Sequence, residues 1–212
     1  VPEPRLVLAS ASPARRAVLR SAGIDPLVHV SEVDEDAVAA ALPADTPPQT
    51  VVIELARAKA RHVAATADLP AECVVVGCDS MLLVDGTLQG KPHTPEVARQ
   101  RWAEIAGRSA DLITGHCVLR LTGGVVTAES VDCSSTTVHF AKPDPAELDA
   151  YIATGEPLQV AGAFTLDGLG GWFVDRIDGD PSSVIGIGLP LLRRLLGDVG
   201  VTIAQLWRHS QT

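Results

Sequence analysis

This chain is short of positive charge. Its 212 residues carry a formal net charge of −9, and only three of its 17 basic residues are lysines: Lys59, Lys91 and Lys142. A general nucleic-acid binder or a protein held on anionic membranes needs a wide basic field, so both classes are excluded. Aromatic residues are few, with three Trp, three Phe and one Tyr. No apolar run approaches a membrane span, and no charged-then-apolar secretory pattern opens the sequence. The four cysteines (73, 78, 117 and 133) form no Cys-x-x-Cys pair and sit in apolar, strand-like contexts. They read as core thiols of a reduced, cytoplasmic protein, not as zinc ligands. Gly-x-Gly-x-x-Gly after a strand, a His-Glu-x-x-His spacing and a Gly-x-Ser-x-Gly elbow are all missing. Gly86 to Pro92 imitates a P-loop, but its glycines are one residue too close and Pro92 replaces the metal-binding hydroxyl.

What is present reads as one α/β domain over 1–212, long enough for a real core, with no internal repeat or low-complexity linker. Arg5–Leu8 is a first strand. Ser12-Pro13 opens a helix that runs to Gly23, and the same start recurs at Thr94-Pro95 and at Asp144-Pro145-Ala146-Glu147, the last as a capping box. Residues 26–31 form a short strand and Glu32 to Asp36 an acidic loop. Residues 49–66 form a long helix. Cys73 to Val84 is an apolar hairpin arm broken at Gly77, and two long strands near 110–121 and 125–140 meet at Gly123-Gly124. A Gly-rich loop at 162–171 precedes a strand at 172–177 and a helix near 189–196. The stretch 201–207 fits a strand or a helix equally.

Three placements point to chemistry. Asp79 is a lone carboxylate within an apolar stretch, costly to bury unless something pairs with it or uses it. On the long helix Val52, Leu55, Ala56 and Val63 make one apolar stripe at about 100° per residue, with Lys59 in its middle, while Arg57 and Arg61 lie opposite. Snorkelling explains such a lysine, and so does a phosphate-binding role in a cleft. The first turn after Ser12 carries Arg15 and Arg16, cations at the positive end of a helix dipole. They suit a bound anion, or they simply face solvent. One carboxylate of Glu32, Asp34, Glu35 and Asp36 reaching a divalent metal together with Asp79 is chemically sensible.

Leu8 to Arg16, Val33-Asp34-Glu35, Leu55 to Ala60, Gly77-Cys78-Asp79-Ser80, Gly90-Lys91-Pro92, Tyr151 to Pro157, Ala161 to Phe164, Gly168-Leu169-Gly170 and Gly188 to Leu191 occur in order. Together they resemble the Maf family of nucleoside triphosphate pyrophosphatases, over nearly the whole chain. The resemblance implies an elongated α/β fold of two lobes around a mixed twisted sheet with a central cleft, related in architecture to inosine triphosphatases. It implies hydrolysis of a nucleoside triphosphate to the monophosphate and pyrophosphate with Mg²⁺ or Mn²⁺, in a homodimer. By the same resemblance Ser10, Ser12, Arg15 and Arg16 belong to a phosphate-binding loop, Glu35 and Asp79 are cleft carboxylates and metal ligands, and Asp79 is the proton acceptor. Lys59 and Lys91 are cleft lysines, and Ser80 and Asp167 lie at the substrate. Many members read Ser-Pro-Arg-Arg, whereas Ala14 here separates Pro13 from the arginine pair. Ser80 stands where a dTTP/UTP branch has Thr and a 7-methyl-GTP branch has Gln. Asp167 replaces a Gln or Glu, so the base stays open between the branches. The other function class is a nucleotide-binding regulator of cell division without turnover.

Overall fold

A computed structural model describes residues 3–209. β1 (Arg5–Leu8) leads to Ser12, whose hydroxyl accepts from the Arg15 N–H and so caps α1 (Pro13–Ser21). After β2 (Leu27–Val28), Asp34 accepts from the Ala37 N–H and starts α2 (Glu35–Ala40). The acidic stretch expected as a loop therefore begins a helix, with Glu35 and Asp36 in the first turn where the dipole favours them. α3 (Pro48–Thr66), β3 (Cys73–Val84), β4 (Thr87–Gln89) and α4 (Pro95–Ile105, capped by Thr94) follow. Then come β5 (Ser109–Thr122), β6 (Val125–Phe140) and α5 (Pro145–Ala153), the last opened by the expected Asp144/Glu147 capping box. The Gly-rich segment is a series of 3-10 turns before β7 (Val174–Asp178). The chain continues through α6 (Pro181–Ile185), α7 (Leu189–Asp198) and α8 (Ile203–His209). The undecided stretch at 201–207 is mostly helical because Thr202 and Gln205 cap each other: Thr202 N–H donates to Gln205 Oε1 and Gln205 N–H to Thr202 Oγ1.

The strands form a seven-stranded mixed sheet in the order β2-β1-β3-β5-β6-β7, with β4 on β3. This is the mixed α/β class that the element pattern implies. β1 runs parallel to β2 and β3, while β3–β4 and β6–β7 are antiparallel.

The chain divides into two compact units. The first comprises residues 1–79, 114–134 and 186–212; the second comprises 80–113 and 135–185. In the first, Leu6, Leu8, Val74 and Val76 pack with Leu192, Leu195 and Leu196 of α7, while Val7, Val75 and Leu119 pack with Ala56, Ala60 and Val63 of α3. β1 and β3 are thus covered on both sides, which explains their continuous apolar sequences. The second unit gathers most of the scarce aromatics: Trp102 makes edge contacts with Phe140, Tyr151 and Phe173 and donates its Nε1–H to the Ala163 carbonyl. All four cysteines are free. Burial pushes the Cys73 and Cys78 thiols up to about 11 and Cys117 up to about 12, so these three are inert packing groups.

β3 does not break at Gly77. The glycine is needed for closeness instead: a Cβ there would lie 2.2 Å from the Ala56 carbonyl oxygen and 2.9 Å from the Ala60 nitrogen. Gly115 on β5 does the same further along α3, where a Cβ would meet the Val52 carbonyl oxygen at 2.2 Å. Two strands thus accept the helix backbone itself. Gly115→Ala is expected to destabilise the protein by about 1–3 kcal/mol or more, as overpacked cores do. Gly197→Ala, at a helical position with nothing within 4 Å, should be neutral or stabilising by about 0.5–1 kcal/mol. Denaturant unfolding of the two variants side by side checks both signs.

Candidate active site

The approach of α3 to the sheet decides where Lys59 goes. It sits in the apolar stripe and is 7 % exposed, too buried for a snorkelling surface lysine. Its Nζ lies 2.5 Å from Asp79 Oδ1 and 2.8 Å from Glu35 Oε1. Arg57 and Arg61, on the other face of α3, pair with Glu129. Asp79 is 5 % exposed, and its Oδ2 is buried with no hydrogen-bond partner among the described residues. Burial raises the Asp79 carboxyl above its ordinary range; the Lys59 ammonium, and more weakly Arg15, pull against that shift, while Glu35 adds to it. Glu35 is half exposed at the first position of α2, so one carboxylate of this trio is dry and the other wet.

The β1–α1 junction supplies the cation felt at Asp79. Arg15 folds back along its own loop: Nη1 donates to Ser10 Oγ at 3.1 Å and Nε to the Gly186 carbonyl at 2.8 Å. Ser10 Oγ also accepts from the Ser12 N–H. Ser10, Ser12 and Arg15 are therefore brought together at the start of a helix whose first turn holds no acid. Arg16 is exposed, and its charge acts on Asp25, beyond the opposite end of α1.

Lys91, Ser80 and Asp167 belong to the second unit. Lys91 is exposed in the turn after β4; the Gly90 carbonyl beside it accepts from the Arg101 guanidinium and from the Gly162 N–H. Ser80 follows Asp79 on β3 and is half-buried. Asp167 is exposed.

No group of three or more His, Cys, Asp or Glu suited to a metal ion occurs among the described residues. The donor set at Lys59 nevertheless fits a hard divalent cation that keeps most of its water: two carboxylates, one with an oxygen that no hydrogen-bond donor among the described residues reaches.

Two positioning groups carried no sequence signal that a motif scan reads. Gly186 offers its carbonyl to Arg15, and at φ 126° the residue fits only as glycine. His116 is fully buried on β5. Its Nδ1 lies 3.1 Å from the Thr114 carbonyl and its Nε2 accepts the Gly188 N–H at 2.9 Å, which ties β5 to the start of α7. A search for zinc spacings passes over it because its partners are main-chain atoms.

Residues 5–199 match the family described as Maf-like protein. A nucleoside triphosphate pyrophosphatase of Nocardia farcinica is 82% identical over 207 residues, covering 96% of this chain and 97% of that one. Its namesake in Rhodococcus opacus is 68% identical and covers 96% of each chain. The chain belongs to the Maf family. A solved nucleoside-triphosphatase of Mycobacterium abscessus, a dITP/XTP pyrophosphatase, aligns at 17% identity over 73% of this chain and 95% of that one. Its TM-score of 0.32 is below what an argument about fold or site can rest on.

The buried pair makes a stability prediction. Lys59→Met leaves Asp79 dry and unpaired and is expected to cost about 3–5 kcal/mol, whereas Lys59→Met with Asp79→Leu should recover most of that loss. Chemical unfolding in chelator-treated buffer, run as a double-mutant cycle, measures the difference.

Proposed function

We propose that this chain is a nucleoside triphosphate pyrophosphatase, an enzyme that cleaves a nucleoside triphosphate to the monophosphate and pyrophosphate. The observation that carries the reading is the buried Asp79 with one oxygen bound to Lys59 and the other without a hydrogen-bond partner among the described residues. Such an oxygen is an acceptor kept dry for something outside the protein. The names of the high-identity relatives support the same reaction.

The substrate brings about four negative charges to an acidic protein, so local cations must hold it. At an effective dielectric near 20, one cation about 4 Å from one phosphate charge contributes roughly 4 kcal/mol before desolvation. Arg15 and Lys59 supply such charge beside Asp79, and the family resemblance adds Lys91. The Ser10 and Ser12 hydroxyls at the positive end of α1 suit phosphate oxygens, and Arg16 is the outer cation of the same turn. By the family resemblance Ser80 and Asp167 bind the rest of the substrate.

Asp79 accepts the proton of the attacking water. Its raised affinity for a proton suits a general base, and Lys59 keeps the carboxylate oriented and ionised enough to act. Glu35 and Asp79 would hold Mg²⁺ or Mn²⁺, which supplies Lewis-acid polarisation of a phosphoryl oxygen. Lys59 and Lys91 offset charge that builds on the transferring phosphorus and the leaving pyrophosphate.

The preferred substrates are of the dTTP/UTP or 7-methyl-GTP type, which fits a house-cleaning role. The working form is a cytoplasmic homodimer in which 1–212 acts as one domain. Four free cysteines, three of them buried, support a reducing compartment, and the family resemblance supports the dimer.

Pyrophosphate release from dTTP, UTP, CTP and 7-methyl-GTP, with Mg²⁺ or Mn²⁺, tests the reading. Wild type should turn over at least one of them, and Asp79→Asn should lose about 10²–10⁴-fold in kcat while KM changes little. Near-normal kcat in Asp79→Asn removes the base role. Silence of the wild type across the panel leaves the regulator that binds nucleotide without turnover.

A further inference from the structure

The two cations felt at Asp79, Lys59 and Arg15, are both placed with the help of neighbouring residues on one strand. Side chains along β5 point alternately to the two faces of the sheet. Gly115, Cys117 and Leu119 face α3: Gly115 leaves room for the Val52 carbonyl, and the other two pack with Ala56 and Ala60. His116 and Val118 face the opposite way. Val118 belongs to the cluster with Leu192, Leu195 and Leu196 of α7, and His116 bonds the backbone just ahead of that helix. So α3 brings Lys59 to Asp79 on one face, and the segment before α7 meets Arg15 on the other.

That segment is Gly186-Ile187-Gly188, and each of its residues is held. The Gly186 carbonyl accepts from Arg15 Nε at 2.8 Å, and a Cβ on Gly186 would lie 3.1 Å from the same nitrogen and 3.3 Å from Arg15 Cγ. The Gly186 backbone therefore lies directly along the arginine side chain. Ile187 is fully buried with Leu8 and Leu19. The Gly188 N–H donates to His116 Nε2 at 2.9 Å. A main-chain N–H can only donate, so Nε2 is the acceptor and the ring proton sits on Nδ1, 3.1 Å from the Thr114 carbonyl. His116 and Thr114 are fully buried, so water does not compete for either bond. The two ring nitrogens do different things: Nδ1 bonds within its own strand, whereas Nε2 alone reaches the segment that orients Arg15.

We infer that His116 is a positioning residue for phosphate binding: through the Gly188 N–H it fixes the 186–188 segment, and through the Gly186 carbonyl that segment orients the Arg15 guanidinium for an anion. The inference rests on the nucleotide reading above, in which Arg15 holds phosphate, and extends it to a side chain buried away from any ligand. A guanidinium oriented in advance loses less rotamer freedom when the anion arrives, and one released from Gly186 loses more. Arg15 keeps its bond to Ser10 Oγ, so breaking the link weakens the anchor without abolishing it. The Lys59–Asp79 pair is formed from the α3 side and does not pass through this link, so the consequence falls on affinity more than on the chemical step.

Calorimetric binding of inorganic tripolyphosphate tests it without needing turnover, alongside KM and kcat for the triphosphate that wild type cleaves best. Two variants separate the ring nitrogens. His116→Asn places its amide near Nδ1 and falls short of Gly188, whereas His116→Gln carries an oxygen out to the level of Nε2. His116→Asn should weaken tripolyphosphate by about five- to tenfold, part of what one hydrogen bond to a charged group contributes, and raise KM by a like factor with kcat little changed. His116→Gln should recover most of that loss. In the Arg15→Ala background His116→Asn should add nothing further, a coupling that a general loosening of the core does not produce. Unfolding midpoints show which variants are folded at the assay temperature. Should His116→Asn not fold, Gly186→Ala breaks the link at its other end and takes its place in the same cycle. Equal affinities of the Asn and Gln variants overturn the inference, and so does a loss that adds in full to that of Arg15→Ala. Wild type that binds tripolyphosphate but releases no pyrophosphate from any triphosphate overturns the hydrolase and leaves the positioning role standing. Wild type that cleaves a triphosphate yet ignores tripolyphosphate keeps the hydrolase and removes Arg15 as the anchor, and this inference with it.

Discussion

The closeness of α3 to the strands beneath it is the constraint on which the rest of the site depends. A helix normally rests on a sheet through two layers of side chains. Here Gly77 and Gly115 remove one layer at two points, so main-chain atoms of the helix occupy space where a methyl group would be. That geometry carries Lys59, a long side chain on an apolar stripe, down to a carboxylate that starts from the strand itself. With ordinary residues at the two glycines, the same lysine would have a route to water and Asp79 would be a buried charge without a counter-ion. Packing and electrostatics are one problem in this region: the helix cannot approach without the glycines, and the ion pair cannot form without the approach.

Charge is handled with similar economy. The protein is acidic, yet the cations that bear on Asp79 come from distinct elements, Lys59 from α3 and Arg15 from α1. Each is restrained before any ligand arrives, Arg15 by Ser10 and the Gly186 carbonyl, Lys59 by two carboxylates. Side chains held this way lose little rotamer freedom on binding, which is how a modest number of charges retains a highly charged ligand.

Much of this was legible from sequence where one local rule decides. Pro-initiated helices at Pro13, Pro95 and Pro145 appear because cap and proline act within a single turn. The place of Lys59 was legible from periodicity, since a cation out of phase with Arg57 and Arg61 must meet something different. The reading of Gly77 as a break was wrong for a physical reason: glycine marks either a turn or a close approach, and only the partner distinguishes them. The acidic stretch at 32–36 hid a helix start because Asp34 and its neighbours suit loops and first turns equally. His116 and Gly186 were not legible at all. Their partners are main-chain atoms far along the chain, and main-chain atoms leave no trace in residue identity.

Neither compact unit is a continuous piece of polypeptide. The chain passes from one to the other at Asp79/Ser80, Ile113/Thr114, Ser134/Ser135 and Ile185/Gly186, three of these inside the long strands β3, β5 and β6. The core around Leu6 and Leu8 is completed by Leu192, Leu195, Leu196 and Leu206. During synthesis the amino-terminal strands therefore emerge long before the residues that cover one of their faces, while the second unit, contained within 80–185, is available whole. The half that carries Lys59 and Asp79 can close only after the residues from Leu192 to Leu206 have been made. On the ribosome, β1 emerges ahead of the second unit yet belongs to the unit that must fold after it.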